Sequence, residues 1–309
     1  MAALPPKSKT DTDLPPEYTI EATTEALPPP ISNDDARIAA FADLVSRHEI
    51  SRLMAMKLRR LEAYDIAVIA DDSGSMNTPS TQGQTDPFAP TKTRWDELKS
   101  TLAIVTDIAA TLDPDGVDLY FLNRPPVRNI MGPCAALDAA FAQKPAGYTP
   151  ITRVLRQVIR EKWNREGKKL LILIATDGQP TTDSGELDKN GLKQLLMNER
   201  GGKGEIPVAF LACTDDDSEV DYLNEWDTRV LDLDVIDDYL TEKKQILRVQ
   251  GNGFPFSRGD WVCKMLLGVI DKEVDGLDER RVGSETVGRG STSKGNDGGD
   301  NLKKDCIIQ

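Results

Sequence analysis

The feature that most constrains the fold is the run at 64–76, YDIAVIADDSGSM. Ile66, Ala67, Val68, Ile69 and Ala70 are apolar without a break, the signature of a parallel strand covered on both faces rather than of a half-exposed one. The run then gives way to Asp71, Asp72, Ser73, Gly74 and Ser75. A tight turn after a central strand leaves side-chain oxygens at the carboxyl edge of the sheet, where open α/β folds bind ligands. Asp71, Ser73 and Ser75 fall two residues apart, so a curved loop can aim all three at one point. One carboxylate and two hydroxyls form a hard-oxygen set, suited to Mg²⁺ or Mn²⁺ rather than to Zn²⁺.

One loop cannot complete such a coordination shell, and two others are placed to help. Residues 169–176, KLLILIAT, read as a second buried strand, which ends in Asp177-Gly178-Gln179-Pro180. Between the two strands, Gly147-Tyr148-Thr149-Pro150 precedes a helical pattern over 151–165 and offers one more hydroxyl. Each piece alone is ordinary turn chemistry. The three in this order, with two on apolar strand ends, point to a site.

In this order the residues resemble the von Willebrand factor A (vWA) family, whose metal-ion-dependent adhesion site (MIDAS) uses the same three loops. The resemblance covers roughly 63–270, and all five ligand positions match: Asp71, Ser73, Ser75, Thr149 and Asp177. It departs at Asp72, where the family usually has glycine. The resemblance implies a protein-binding module in which the partner donates an Asp or Glu carboxylate to the bound Mg²⁺ or Mn²⁺. It also implies two states that differ in whether Asp177 or Thr149 bonds the metal directly.

The rest of the pattern predicts the same fold class independently of the motif. Helical stretches over 95–112, 135–143, 187–198, 215–226, 239–249 and 261–270 alternate with strands over 117–122, 207–213 and 230–235 and a short edge strand over 127–131. Such alternation predicts an α/β fold with a doubly wound, mostly parallel sheet flanked by helices, vWA- or Rossmann-like. The polar insert at 77–93 leaves from the edge that carries the candidate metal loop. Upstream, 31–61 reads as a helical arm with one apolar stripe, on which His48 falls at a solvated position. Arg258-Gly259-Asp260 is read with Asp260 as a helix N-cap.

Charge and cysteine usage exclude several function classes. The chain has 51 Asp and Glu against 38 Lys and Arg, a net charge of −13, which disfavours nucleic acid as a partner. No apolar run approaches the ~20 residues that span a bilayer, and the N-terminus has no signal-peptide core. Cys134, Cys213, Cys263 and Cys306 are far apart, so a zinc site is not expected, and the first three read as small core hydrophobes in a reducing compartment. A cytoplasmic protein is expected.

Both ends are compositionally distinct. Residues 1–30 are proline-rich and poor in large apolar side chains, as expected of a disordered arm. This arm contains Pro15-Pro16-Glu17-Tyr18, which resembles the PPxY ligand of WW domains: Pro15 and Pro16 preform a polyproline turn and Tyr18 supplies an aromatic anchor. Residues 271–309 turn to glycine, serine and charge and read as a flexible tail. It ends Cys306-Ile307-Ile308-Gln309, which resembles a CaaX prenylation box with glutamine favouring farnesyl. One farnesyl chain predicts reversible membrane association.

The function expected is therefore a non-enzymatic, prenylated adaptor that binds its protein partner through the metal. One alternative is a ubiquitin-pathway adaptor that recruits a WW-domain ligase through the PPxY sequence. The other is a Mg²⁺-dependent hydrolase, for which Asp72 is the only nearby nucleophile or base and no catalytic histidine is present.

Overall fold

The computed structural model describes residues 33–80, 91–113, 115–164, 167–214, 217–227 and 229–282. Pro15, Pro16, Tyr18 and Cys306 lie outside the described residues. Six strands form one sheet: β1 (Tyr64–Ala70), β2 (Val117–Phe121), β3 (Val127–Ile130), β4 (Lys169–Thr176), β5 (Val208–Ala212) and β6 (Leu233–Ile236), in the order β3-β2-β1-β4-β5-β6. All neighbours are parallel except β2 and β3. The doubly wound α/β fold expected from the alternation is the one observed.

The apolar run of β1 works on two faces at once. Ile66, Val68 and Ala70 enter one core, while Ala67 and Ile69 enter the other, and β4 divides its residues in the same way. Period-two alternation would have left one face wet; the unbroken run requires helices on both. The first core is covered by α1 (Asn33–Arg47), α2 (Arg52–Leu58), α3 (Arg94–Leu112), α4 (Ala135–Ala142), α8 (Tyr239–Gln250), α9 (Arg258–Leu267) and the short α10 (Lys272–Asp275); the second lies under α5 (Ile151–Lys162), α6 (Lys189–Asn198) and α7 (Asp217–Asp227). Each Leu or Ile fully buried this way contributes about 1.5–3 kcal/mol.

Several local expectations are corrected. The helical arm is not one stripe: it breaks after Arg47, Glu49 turns into the left-handed region (φ 52°), and Ser51 caps a new helix. Its Leu44, Ile50, Met54, Leu58 and Leu61 share the core with the sheet, and Val274 and Leu277 beyond α9 do the same. His48 is not solvated; it is half-buried, with Nε2 2.6 Å from Asp107 Oδ2. Asp260 is not the N-cap of α9. That cap is Ser257, and Asp260 closes the capping box from the third helical position while accepting the Ser51 N–H at 2.7 Å. Such a cap contributes about 1 kcal/mol. Between Arg258 and Asp260, Gly259 packs so tightly that a Cβ would overlap the His48 carbonyl oxygen.

Strand order decides where a ligand can sit. From β1 the chain moves outward to β2 and β3, then crosses back to β4 on the other side of β1 and continues to β5 and β6. The order therefore reverses between β1 and β4, and the carboxyl ends of these two strands border the switch-point crevice. Ala70 pairs with Ala175 in register, so the residues that follow, Asp71 and the Thr176-Asp177 pair, emerge side by side.

Candidate metal centre

Asp71 and Asp177 are both buried, with 0% and 1% exposure. A chain of hydrogen bonds joins them. Asp71 accepts the Ser73 N–H on Oδ1 at 2.9 Å and the Thr176 hydroxyl on Oδ2 at 2.7 Å. The Ser73 and Ser75 hydroxyls lie 3.0 Å apart, and Ser75 donates to Asp177 Oδ1 at 2.7 Å. Four of the five residues read from the sequence thus form one contiguous cluster, built by two strand ends and the helical turn at Gly74–Asn77.

Thr149 belongs to a third loop locked against the first. Gly74 N–H donates to the Gly147 carbonyl at 3.2 Å, Ala146 N–H to the Asp72 carbonyl at 2.8 Å, and Asn77 holds Gly74 and Pro145 together through its side-chain amide. Gly147 adopts φ 113°, and a Cβ there would overlap the Asn123 amide. Thr149 itself is buried and pinned by its backbone to Thr181, whose hydroxyl accepts its N–H at 3.0 Å. The structure brings this loop to the cluster, with Thr149 held through its backbone.

The electrostatics favour a cation. Burial raises the Asp71 carboxyl to about 7, the nearby Asp177 charge adds to the rise, and the hydrogen bonds from Ser73 and Thr176 only partly offset it. Two carboxylates and adjacent hydroxyls, removed from water, are a donor set a small hard dication would satisfy. Among the described residues, no three His, Cys, Asp or Glu side chains gather as a metal-holding group. The hydroxyls of Ser73, Ser75 and Thr149 would have to supply what carboxylates supply elsewhere.

Two features were not legible in the sequence. Asp72 turns away from its neighbours: Oδ1 accepts the Asn123 backbone and side-chain N–H groups at 2.8 and 3.1 Å, and Oδ2 meets Arg124 Nε at 2.7 Å. Its charge is spent on holding the β2–β3 turn, and the guanidinium it binds stacks over Phe121 and Trp95. The second is Arg94, the first residue of α3, whose Nη1 donates to Asp177 Oδ2 at 2.9 Å and Nη2 to Thr214 Oγ1 at 2.8 Å. The neck of the 77–93 insert sets its position. Pro79 bridges Thr93, Ser80 N–H bonds the Lys92 carbonyl, and Arg94 N–H bonds the Thr78 carbonyl. The insert segment 81–90 lies outside the described residues. An arginine closing a polar insert carries no pattern of its own, so only the fold reveals its partner.

The three cysteines expected in the core are free thiols; Cys263 is buried, and Cys134 and Cys213 are half-buried. Burial, with the charges of Asp177 and Asp71 adding to it, pushes the Cys213 thiol well up, so it stays protonated.

No family model matches the chain, and no curated protein matches it. Among solved structures it is similar to the PilB minor pilin from Streptococcus sanguinis, at 14% identity and a TM-score of 0.43, over 69% of this chain and 62% of the pilin. It is also similar to the open conformation of the pilus adhesin SpaC from Lactobacillus rhamnosus GG, at 14% identity and a TM-score of 0.39, over 70% of this chain and 30% of the adhesin. With TM-scores under 0.5, function has to be argued from the chain's own residues.

Proposed function

We propose that this chain is a metal-dependent protein-binding module of the vWA type, with Asp71, Ser73, Ser75, Thr149 and Asp177 as the residues that hold Mg²⁺ or Mn²⁺. One observation carries the reading: two buried carboxylates at the switch-point crevice, Asp71 and Asp177, share a hydroxyl-rich cluster in which, among the described residues, no cationic side chain is bonded to Asp71. With only two carboxylates in the set, a dication held there would keep positive charge to offer a carboxylate from another protein. Ser73 and Ser75 orient the two acids, and the lock between Gly74 and Gly147 keeps the third loop within reach.

The hydrolase alternative asks Asp72 to act as nucleophile or base. With both its oxygens bonded to Asn123 and Arg124, Asp72 would have to leave a buried ion pair first, which disfavours that role. We further propose Cys306 as the site of a farnesyl anchor, making the module a reversibly membrane-associated adaptor.

The test is calorimetric titration of the full chain with Mg²⁺ and Mn²⁺, followed by capture of partners with and without EDTA. Saturable binding to one site, lost in Asp71→Ala, and release of a captured protein by chelator are expected. Unchanged affinity in that variant would sink the assignment.

A further inference from the structure

The outward face of α8 breaks with the charge of the whole. In a chain of net charge −13, α8 carries Lys243, Lys244 and Arg248, and its only acid, Glu242, is buried, 2% exposed, against Lys264. Leu240, Lys244, Leu247 and Arg248 recur at the spacing of one helix face; together with Lys243 they line a single open groove. Lys244 and Arg248 are exposed, and so is Leu240, at 47%. Among the described residues, Lys243, Lys244 and Arg248 form no ion pair. By contrast α7, two elements earlier, exposes Asp221 and Glu225, so the positive charge is gathered here and not merely average.

The end of α8 also holds the segment from which the chain continues toward Cys306. Gln250 Nε2 donates to the Leu277 and Arg280 carbonyls, each at 2.6 Å, and its Oε1 accepts the Val282 N–H at 3.0 Å. Arg281 Nε bonds the Val249 carbonyl at 3.0 Å. Arg280 and Arg281 are thereby fastened to the same helix end, and Val282 is 53% exposed. Within 277–282, Asp278 lies 3.6 Å from Lys264, which leaves Glu279 as that segment's one exposed acid.

We propose that the α8 face, extended by Arg280 and Arg281, docks on an anionic phospholipid surface. The exposed Lys244 and Arg248 side chains, interleaved with exposed leucine, suit mobile anionic headgroups and the shallow apolar layer beneath them, while the Lys243 ammonium donates to the Tyr239 hydroxyl at 2.9 Å. The acidic remainder of the molecule does not cancel this attraction. Charges are screened over about 8–10 Å, so a bilayer senses the face that touches it and not the net charge. If Cys306 bears a lipid, this face is the second contact that a single chain needs for stable attachment; the docking itself requires no modification.

The test uses the unmodified full chain and vesicles of phosphatidylcholine alone or with phosphatidylserine, sedimented in EDTA so that the metal loops play no part. Each Lys or Arg near such a surface strengthens partitioning roughly fivefold. Binding at least about tenfold stronger to the phosphatidylserine vesicles is expected, abolished by high salt and by the triple variant Lys243→Glu, Lys244→Glu, Arg248→Glu. Lys244 and Arg248 are exposed and Lys243 is half-buried beside Tyr239, so circular dichroism and Mg²⁺ titration check that the variant is folded with its metal loops intact. Equal binding to both vesicles, or phosphatidylserine binding unchanged in a folded triple variant, overturns the proposal. So does charge-dependent capture of polyglutamate without vesicle binding, which would assign the face to an acidic protein instead.

Discussion

Two clusters of acids, each containing a buried carboxylate, sit at different places in this molecule and are neutralised differently. Glu242 of α8 and Asp278, beyond α10, flank Lys264 of α9, with Nζ 2.9 and 3.6 Å from their carboxyl oxygens. Burial pulls the Lys264 ammonium down, but Glu242 and Asp278 outweigh it and the net direction is up. That cluster carries its own cation, covalently, in a position no solvent exchange can empty. At the ends of β1 and β4, Asp71 is bonded among the described residues by hydroxyl and amide donors, and Arg94 donates to Asp177. Buried charge without a partner is costly. On the proposed reading, the carboxylates kept at this switch-point crevice would be neutralised by a cation that arrives from outside.

The sharpest way to break this comparison is to remove the built-in cation. Lys264→Met leaves Glu242 buried, and Asp278 half-buried, without their partner and should destabilise the protein by about 3–5 kcal/mol, read from urea unfolding monitored by fluorescence. A loss under 1 kcal/mol would mean the acids simply take up protons and the two clusters are alike. Asp71→Asn should do the opposite. It removes a repelled carboxylate, so the melting temperature in EDTA should not fall, while Mg²⁺ affinity drops at least about a hundredfold, or ~2.7 kcal/mol. Unfolding of that variant would place Asp71 among structural acids.

Two smaller effects refine the picture of the site. Thr149→Ala removes one neutral oxygen from the set and should weaken Mg²⁺ binding about tenfold, ~1.4 kcal/mol, by calorimetry; an unchanged affinity would leave the third loop outside the coordination set. Arg94→Met frees Asp177 from its guanidinium, and removal of a competing positive charge should tighten Mg²⁺ about threefold. Weaker binding in this variant would show instead that Arg94 orients Asp177 for the metal.

Much of this was legible in the chain because the signals were local. The unbroken apolar runs of β1 and β4 announced strands covered on both sides, and Asp71, Ser73, Ser75 and Asp177 followed them directly. Element ends were less legible. The helix pattern over 151–165 continues past Lys162, where the observed helix ends, because Trp163 extends the apolar pattern and still packs against the second core from an extended backbone. The start of α9 is one such end: Arg258-Gly259-Asp260 suggests Asp260 as a cap, while Ser257 caps the helix one turn earlier with Asp260 as its capping-box partner.

What the sequence determined by itself is the set of elements and the donor atoms at two strand ends, since these depend on periodicity and on which residue follows which. The tertiary structure alone decided how charges are shared. Asp72 and Asp71 are neighbours with the same side chain, yet one faces Arg124 and the other faces the crevice, because successive residues leaving a strand point to opposite sides and meet different loops. Arg94 reaches Asp177 across 83 positions of sequence, and α8 presents a basic face in an acidic chain because its one acid turns inward to Lys264. Net charge is a sum over the chain, whereas Coulomb energy falls with distance and is screened by salt, so only the folded geometry says which charges act together.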